Sequence, residues 1–187
     1  MTTITACSTV SSHPIVQLGN PVLRQIAEPI YSFQEPWLQQ LIDDLLTTLH
    51  QSNGVGIAAP QVGISRRLII VASHPNERYP HAPHMNPLPM LNPKIVDRST
   101  RLVKDWEGCL SVPGIRGLVP RAEAIDVAYT DRMGQRQHQY FTGFVARIVQ
   151  HESDHLEGKV FLDRVESSAD LITDQEYLKQ FASEIMA

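Results

Sequence analysis

Two histidines one helical turn apart, with a glutamate beside the first, make His151-Glu152-Ser153-Asp154-His155 the chemically densest stretch of the chain. On an α-helix, residues four apart lie on nearly the same face, about 6 Å apart along the axis. Two imidazole nitrogens at that spacing can converge on one metal ion. The intervening Glu152 projects from the adjoining face, where it reaches a water beside the metal without being a ligand. This is the HExxH pattern of metal-dependent hydrolysis, in which the carboxylate moves protons. Chance also produces the pattern on charged helices, so the rest of the chain has to decide.

A third ligand is needed. His155 is the last histidine of the sequence, so no further imidazole follows it. Glu157, Asp163 and Glu166 are carboxylate candidates downstream, and they keep a zincin-like metallopeptidase open as an alternative. Cys109, within Asp105-Trp106-Glu107-Gly108-Cys109-Leu110-Ser111-Val112-Pro113, is the better choice. A thiolate with two imidazoles leaves a fourth position for water or substrate, as a catalytic site requires. The one other cysteine is Cys7, and a chain of 187 residues has no need of a disulfide between them. Alone, Cys109 would read as a buried structural thiol; the histidine pair changes that reading.

Three separated segments resemble, in order and spacing, the signature motifs of the peptide deformylases. They are Gly54-Val55-Gly56-Ile57-Ala58-Ala59-Pro60-Gln61, Glu107-Gly108-Cys109-Leu110-Ser111 and Gln150-His151-Glu152-Ser153-Asp154-His155-Leu156. Further similarity runs through Leu91-Asn92-Pro93 and Ser111-Val112-Pro113 to Val119-Pro120-Arg121-Ala122-Glu123, and the likeness spans about Gly19 to Leu162. The resemblance implies a metal-dependent hydrolase that removes the formyl group from the N-terminal formyl-methionine of newly made polypeptides and releases formate. It implies Cys109, His151 and His155 as metal ligands and Glu152 as the proton carrier. Gln61 and the backbone N–H of Leu110 would donate to the oxygen that turns anionic. The implied cofactor is one divalent metal ion, Fe2+ in cells, with Zn2+, Ni2+ or Co2+ as substitutes. A sulfur-and-two-nitrogen donor set suits both iron and zinc.

An enzyme that accepts many nascent N-formylmethionyl polypeptides is expected to grip backbone more than side chains. Gly56 and Gly108 are candidates for the backbone edges, since glycine lets another chain approach closely. Val55, Phe144 and Ile148 are candidates to line an apolar pocket. Arg147, one turn before His151 and aliphatic in some relatives, is expected to run its stem along that pocket and keep its head in solvent. Arg116 is expected to be a solvated surface arginine.

The elements that must hold these residues follow from periodicity. Glu35-Pro36 introduces a helix to about His50, with Leu38, Leu41, Ile42, Leu45 and Leu49 as its buried stripe. Leu68 to Val71 reads as a short apolar strand. Residues 74–92, with five prolines and His74, His81 and His84, read as a solvated loop rather than a second metal site. Ile125, Val127 and Tyr129 alternate as a half-buried strand; Asp131 to Gly134 turns it into a polar partner ending near Phe141. The HExxH helix follows, with Phe144, Ile148, His151 and His155 on its inward stripe and Gly158 as its stop. Val160-Phe161-Leu162 reads as extended, and a final helix runs from about Ala169 to Met186. Strands followed by helices, without βαβ alternation, predict an α+β fold: small mixed or antiparallel sheets around a central HExxH helix, with a C-terminal helix.

Composition fits one catalytic domain over residues 1–187, with residues 1 to about 15 as a mobile segment. Hydrophobic content is 42% and net charge is −4, so no direct nucleic-acid readout is expected. A transient ribosome contact through a local basic patch stays open. No apolar run approaches the roughly 20 residues of a membrane span. Ile4-Thr5-Ala6-Cys7 faintly resembles a lipoprotein cleavage site, but no Lys or Arg precedes it, and a cytoplasmic location is expected.

Overall fold

A computed structural model describes residues 11–76 and 78–185. Helix α1 (Pro36–Gln51) begins at a proline, whose missing N–H costs nothing at a first helical position. Its predicted stripe is buried throughout. Three short strands or long ones then build a five-stranded antiparallel sheet: β1 (Gly56–Ala58), β2 (Leu68–Ser73) and β3 (Met85–Arg98), joined later by β6 (Ala124–Thr130) and β7 (Arg136–Thr142). Their spatial order is β1-β2-β3-β6-β7. Between β3 and β6 the chain makes β4 (Leu102–Cys109) and β5 (Val112–Ala122), which form a second, three-stranded sheet with β8 (Leu171–Thr173) in the order β4-β5-β8. Helix α2 (Gly143–Leu156) carries the HExxH motif, and α3 (Asp174–Ile185) closes the described chain. This is the predicted α+β architecture.

Alternation along β2 explains how the layers stack. Leu68, Ile70 and Ala72 join Leu38, Leu41, Ile42 and Leu45 of α1 in one apolar cluster. Ile69 and Val71, pointing to the opposite face, join Ala146, Ile148 and Val149 of α2 in another. The five-stranded sheet is thus sandwiched between α1 and α2, while α2 also packs on β5 of the smaller sheet. The motif helix therefore lies between the two sheets and can collect side chains from both.

Several expectations need correction. Residues 85–92 are not loop but the first part of β3. Proline density argues against a strand, but Pro87 and Pro89 sit where β3 pairs only with β2, so their missing N–H groups leave no sheet bond unmade. Asn92, at a positive φ of 50°, ends that part in a bulge, held by its amide to both backbone groups of Ile30 (2.8 and 2.6 Å). Phe161–Asp163 is a 3-10 turn rather than an extended segment. The last helix starts at Asp174, because residues 168–170 form a 3-10 turn and 171–173 pair with β5. The expected mobility of residues 1 to about 15 and the Ile4–Cys7 segment fall largely outside the described residues. Within them, the N–H groups of Ser11 and His13 donate to Asp44 and Thr48 of α1, each at 2.9 Å. Among the described residues no helix is long and apolar enough to cross a membrane.

Candidate active site

Cys109 ends β4, and His151 and His155 lie on the inward stripe of α2, whose buried residues run from Ala146 to Leu156 with Ser153 the exception. One ligand atom from each of the three lies within 4.8 Å of the others, and all three residues are buried. Cys109 Sγ is 3.3 Å from His155 Nε2. Burial alone would raise the Cys109 thiol, but the imidazoles of His155 and His151 bring it well below its ordinary value. A low thiol beside two imidazoles is a donor set ready for a divalent ion. Among the described residues no other group of this kind occurs, so His74, His81 and His84 belong to none.

The rival carboxylates are engaged elsewhere. Glu157 accepts from Arg67 at 2.8 Å, Asp163 pairs with Arg24 and Glu166 with Lys104. None joins the sulfur and the two rings.

Glu152 is fully enclosed beside this group. Burial pushes its carboxyl up to about 7, and its Oε2 has no hydrogen-bond partner. Gly56 is what makes room for it: a Cβ there would stand 2.5 Å from Glu152 Oε1 and 2.8 Å from Ile148 Cγ2. Gln61 approaches from the other side. Its Oε1 accepts from the Ala58 N–H at 2.8 Å, which fixes the amide so that Nε2 faces Cys109 Sγ (3.5 Å) and Ser111 Oγ (3.3 Å). Leu110 follows Cys109 at the β4–β5 turn. Val55, Gly56, Gln61, Gly108, Leu110, Phe144, Arg147 and Ile148 all line one cavity with Cys109, His151 and Glu152.

A buried ionic network lies beneath, and sequence reasoning missed its hub. Glu107 Oε2 is 2.8 Å from His151 Nδ1, and its carboxylate also takes two bonds from Arg121 (2.9 and 3.0 Å) and one from Arg147 (2.8 Å). Burial would raise the Glu107 carboxyl, yet the Arg121 guanidinium and His151 hold it well below the usual carboxylate range. Arg121 continues to Asp154 at 2.6 Å, and Asp154 to Arg164. The available signal was the strand period: Glu107 and Cys109, two apart in β4, share a face.

Two arginines depart from expectation. The head of Arg147 is turned inward, away from solvent; besides Glu107 it donates to the carbonyls of Val119 (2.9 Å) and Val103 (2.6 Å). Glu107 and the strand carbonyls supply the acceptors that water would have supplied outside. Arg116 is 2% exposed rather than solvated, bonded to Asp174 at 2.8 Å and stacked 4.1 Å from the ring centre of Tyr177.

Comparison with known proteins agrees with this geometry. The profile of a family described as polypeptide deformylase matches residues 12–170. A protein of Nostoc sp. named peptide deformylase 2 is 63% identical over 164 residues, spanning 88% of this chain and 92% of that one. The Met-Ala-Ser-bound crystal structure of class I type b peptide deformylase from Acinetobacter baumannii is similar with a TM-score of 0.82 and 48% identity, over 84% of this chain and 100% of that one. A peptide deformylase from Synechococcus elongatus in complex with actinonin gives a TM-score of 0.76 and 37% identity, over 90% and 85%.

Proposed function

The chain belongs to the polypeptide deformylase family, metal-dependent enzymes that remove the formyl group from nascent peptides, and on that premise we propose how its own residues carry the reaction. The observation that supports the reading most is the buried Cys109, His151 and His155 group with an enclosed carboxyl, Glu152, at its side. These three residues would hold one divalent ion, which when bound supplies a Lewis acid that activates water and polarises the formyl group. Glu152, with its carboxyl near neutrality, takes the proton of the attacking water and returns it to the departing amine nitrogen. Gln61 Nε2 and the Leu110 N–H donate to the formyl oxygen as it turns anionic. Water adds to the formyl carbon, the carbon–nitrogen bond breaks, and formate leaves a chain with a free amino terminus.

The substrate enters as an extended strand. β1 and β4 each have a free edge, one in either sheet, and both edges line the cavity. Gly56 and Gly108 present backbone along them, which reads main chain and tolerates sequence. Val55, Phe144 and Ile148 wall the pocket for the methionine side chain; Arg147 contributes its stem only. The resident ion is Fe2+ in cells, which makes the thiolate centre oxygen-sensitive, with Zn2+, Ni2+ or Co2+ as working substitutes. The enzyme acts as one domain in the cytoplasm and touches the ribosome transiently.

Iron-loaded protein assayed anaerobically should release formate from formyl-Met-Ala-Ser, and Glu152→Ala should abolish that release while keeping its metal. Absence of formate from metal-loaded, unmutated enzyme would refute the reading. Cys109→Ala should lose the ion; a zincin-like peptidase, with carboxylate ligation, would keep it.

A further inference from the structure

We infer that Arg78 reads charge on the substrate beyond its first residue, selecting peptides with an aspartate or glutamate at the second or third position. The inference rests on the binding mode proposed above and adds a determinant of specificity to it.

Arg78 lies in the connection between β2 and β3, and that connection is pinned onto the cavity. Asn76 Oδ1 accepts from the backbone N–H groups of Arg78 and Tyr79, both at 2.9 Å. The Tyr79 ring packs on Phe144 with centroids 5.0 Å apart, and its hydroxyl accepts from the Gly108 N–H at 3.3 Å. A turn held by backbone, ring and hydroxyl gives its middle side chain a defined place. The guanidinium of Arg78 stands over Gly108, where a Cβ would lie 3.2 Å from Nη2. Arg78 and Tyr79 line the same cavity as Cys109, His151 and Glu152.

The charge of Arg78 is uncommitted. Among the described residues no carboxylate or carbonyl accepts from its guanidinium, whereas the other cations nearby are spent. Arg147 is taken up by Glu107 and strand carbonyls, and Arg116, 2% exposed, has its charge paired with Asp174 although its buried Nη1 lacks a partner. The carboxylates lining the cavity, Glu107 and Glu152, are both buried. An arginine with five donors and no acceptor, at the mouth of a peptide groove, attracts a carboxylate. Position follows from strand geometry. Gly108 immediately precedes Cys109, and a strand advances about 3.3 Å per residue. A peptide whose formyl group sits at Cys109 therefore brings its first residue to about Gly108, and its second and third pass within reach of the long Arg78 side chain that stands over Gly108.

The test compares kcat/KM for amidated formyl-Met-Asp-Ala and formyl-Met-Ala-Asp with their lysine counterparts, at low ionic strength. Amidation removes the terminal carboxylate as a competing source of charge. Wild type should favour at least one aspartate peptide over its lysine partner by about fivefold, through KM rather than kcat, with the preference shrinking in high salt. Arg78→Ala should bring the ratio near one, Arg78→Glu should invert it, and Arg78→Lys should retain part of it. Each ratio compares two peptides on one protein, so a partly misfolded variant does not distort it. Turnover with the wild-type ratio intact in Arg78→Glu would overturn the role of Arg78 alone. No turnover of any peptide by the wild type would overturn the proposed reaction, and this inference with it.

Discussion

Glu107 Oε2 and His151 Nδ1 lie 2.8 Å apart, across the boundary between the small sheet and the motif helix. The contact commits Nδ1 and leaves Nε2 as the nitrogen available to an ion. Because the same carboxylate binds Arg121 and Arg147, the ring is oriented by a group that is itself immobilised. Glu107 would thus act as a positioning residue for the proposed ligand set.

Glu107→Gln should therefore weaken metal retention about tenfold or more, measured by ion content after dialysis against graded chelator. It should also leave Arg147 without a carboxylate and Arg121 with Asp154 alone, lowering the unfolding free energy by about 3 kcal/mol in a urea titration. A variant with wild-type retention would show that the contact does not orient the ring.

The enclosed carboxyl of Glu152 makes metal-free protein pH-dependent in a stated direction. Its folded value, about 7, lies above the ordinary 4.5, so the folded chain binds the proton more tightly than the unfolded one. This group should therefore cost stability as pH rises from about 4.5 past about 7, by about 3 kcal/mol in full. Glu152→Gln removes that cost. Denaturation of the metal-free proteins at pH 5 and pH 8 should show the wild type falling more than the variant; parallel falls would contradict the assignment.

Arg147 offers a contrast between two physical accounts. A solvated head would make Arg147→Met nearly neutral, within about 0.5 kcal/mol. Buried as it is, with Glu107 and two strand carbonyls as acceptors, its loss should cost about 2–4 kcal/mol. Arg147→Lys should not restore it, because an ammonium cannot span the same acceptors. Chemical denaturation separates the outcomes.

The parts of the site legible in the sequence are those fixed by local periodicity, by donor chemistry or by the motifs that carry the family resemblance. Two histidines four apart must share a helix face, and Glu152 must stand beside them. The α1 stripe and the β6–β7 hairpin followed from the same kind of pattern. What stayed hidden depends on partners distant in the chain. Nothing near Arg147 in sequence reveals Glu107, and nothing near Arg116 reveals Asp174, so the head of Arg147 reads as solvated above a pocket-lining stem and Arg116 as a surface cation. Residues 85–92 were illegible for another reason: proline density argues against a strand unless one knows that the strand has an open side there.

The chain of charges from Arg147 through Glu107 and Arg121 to Asp154 and Arg164 has an evolutionary corollary. Loss of the hub, Glu107, leaves the buried Arg147 without a carboxylate and Arg121 with Asp154 alone, so mutational drift is most strongly constrained there. Homologues that differ at one of these positions should carry compensating changes at the others, and grafting a single foreign residue into this protein should fail where the whole set succeeds.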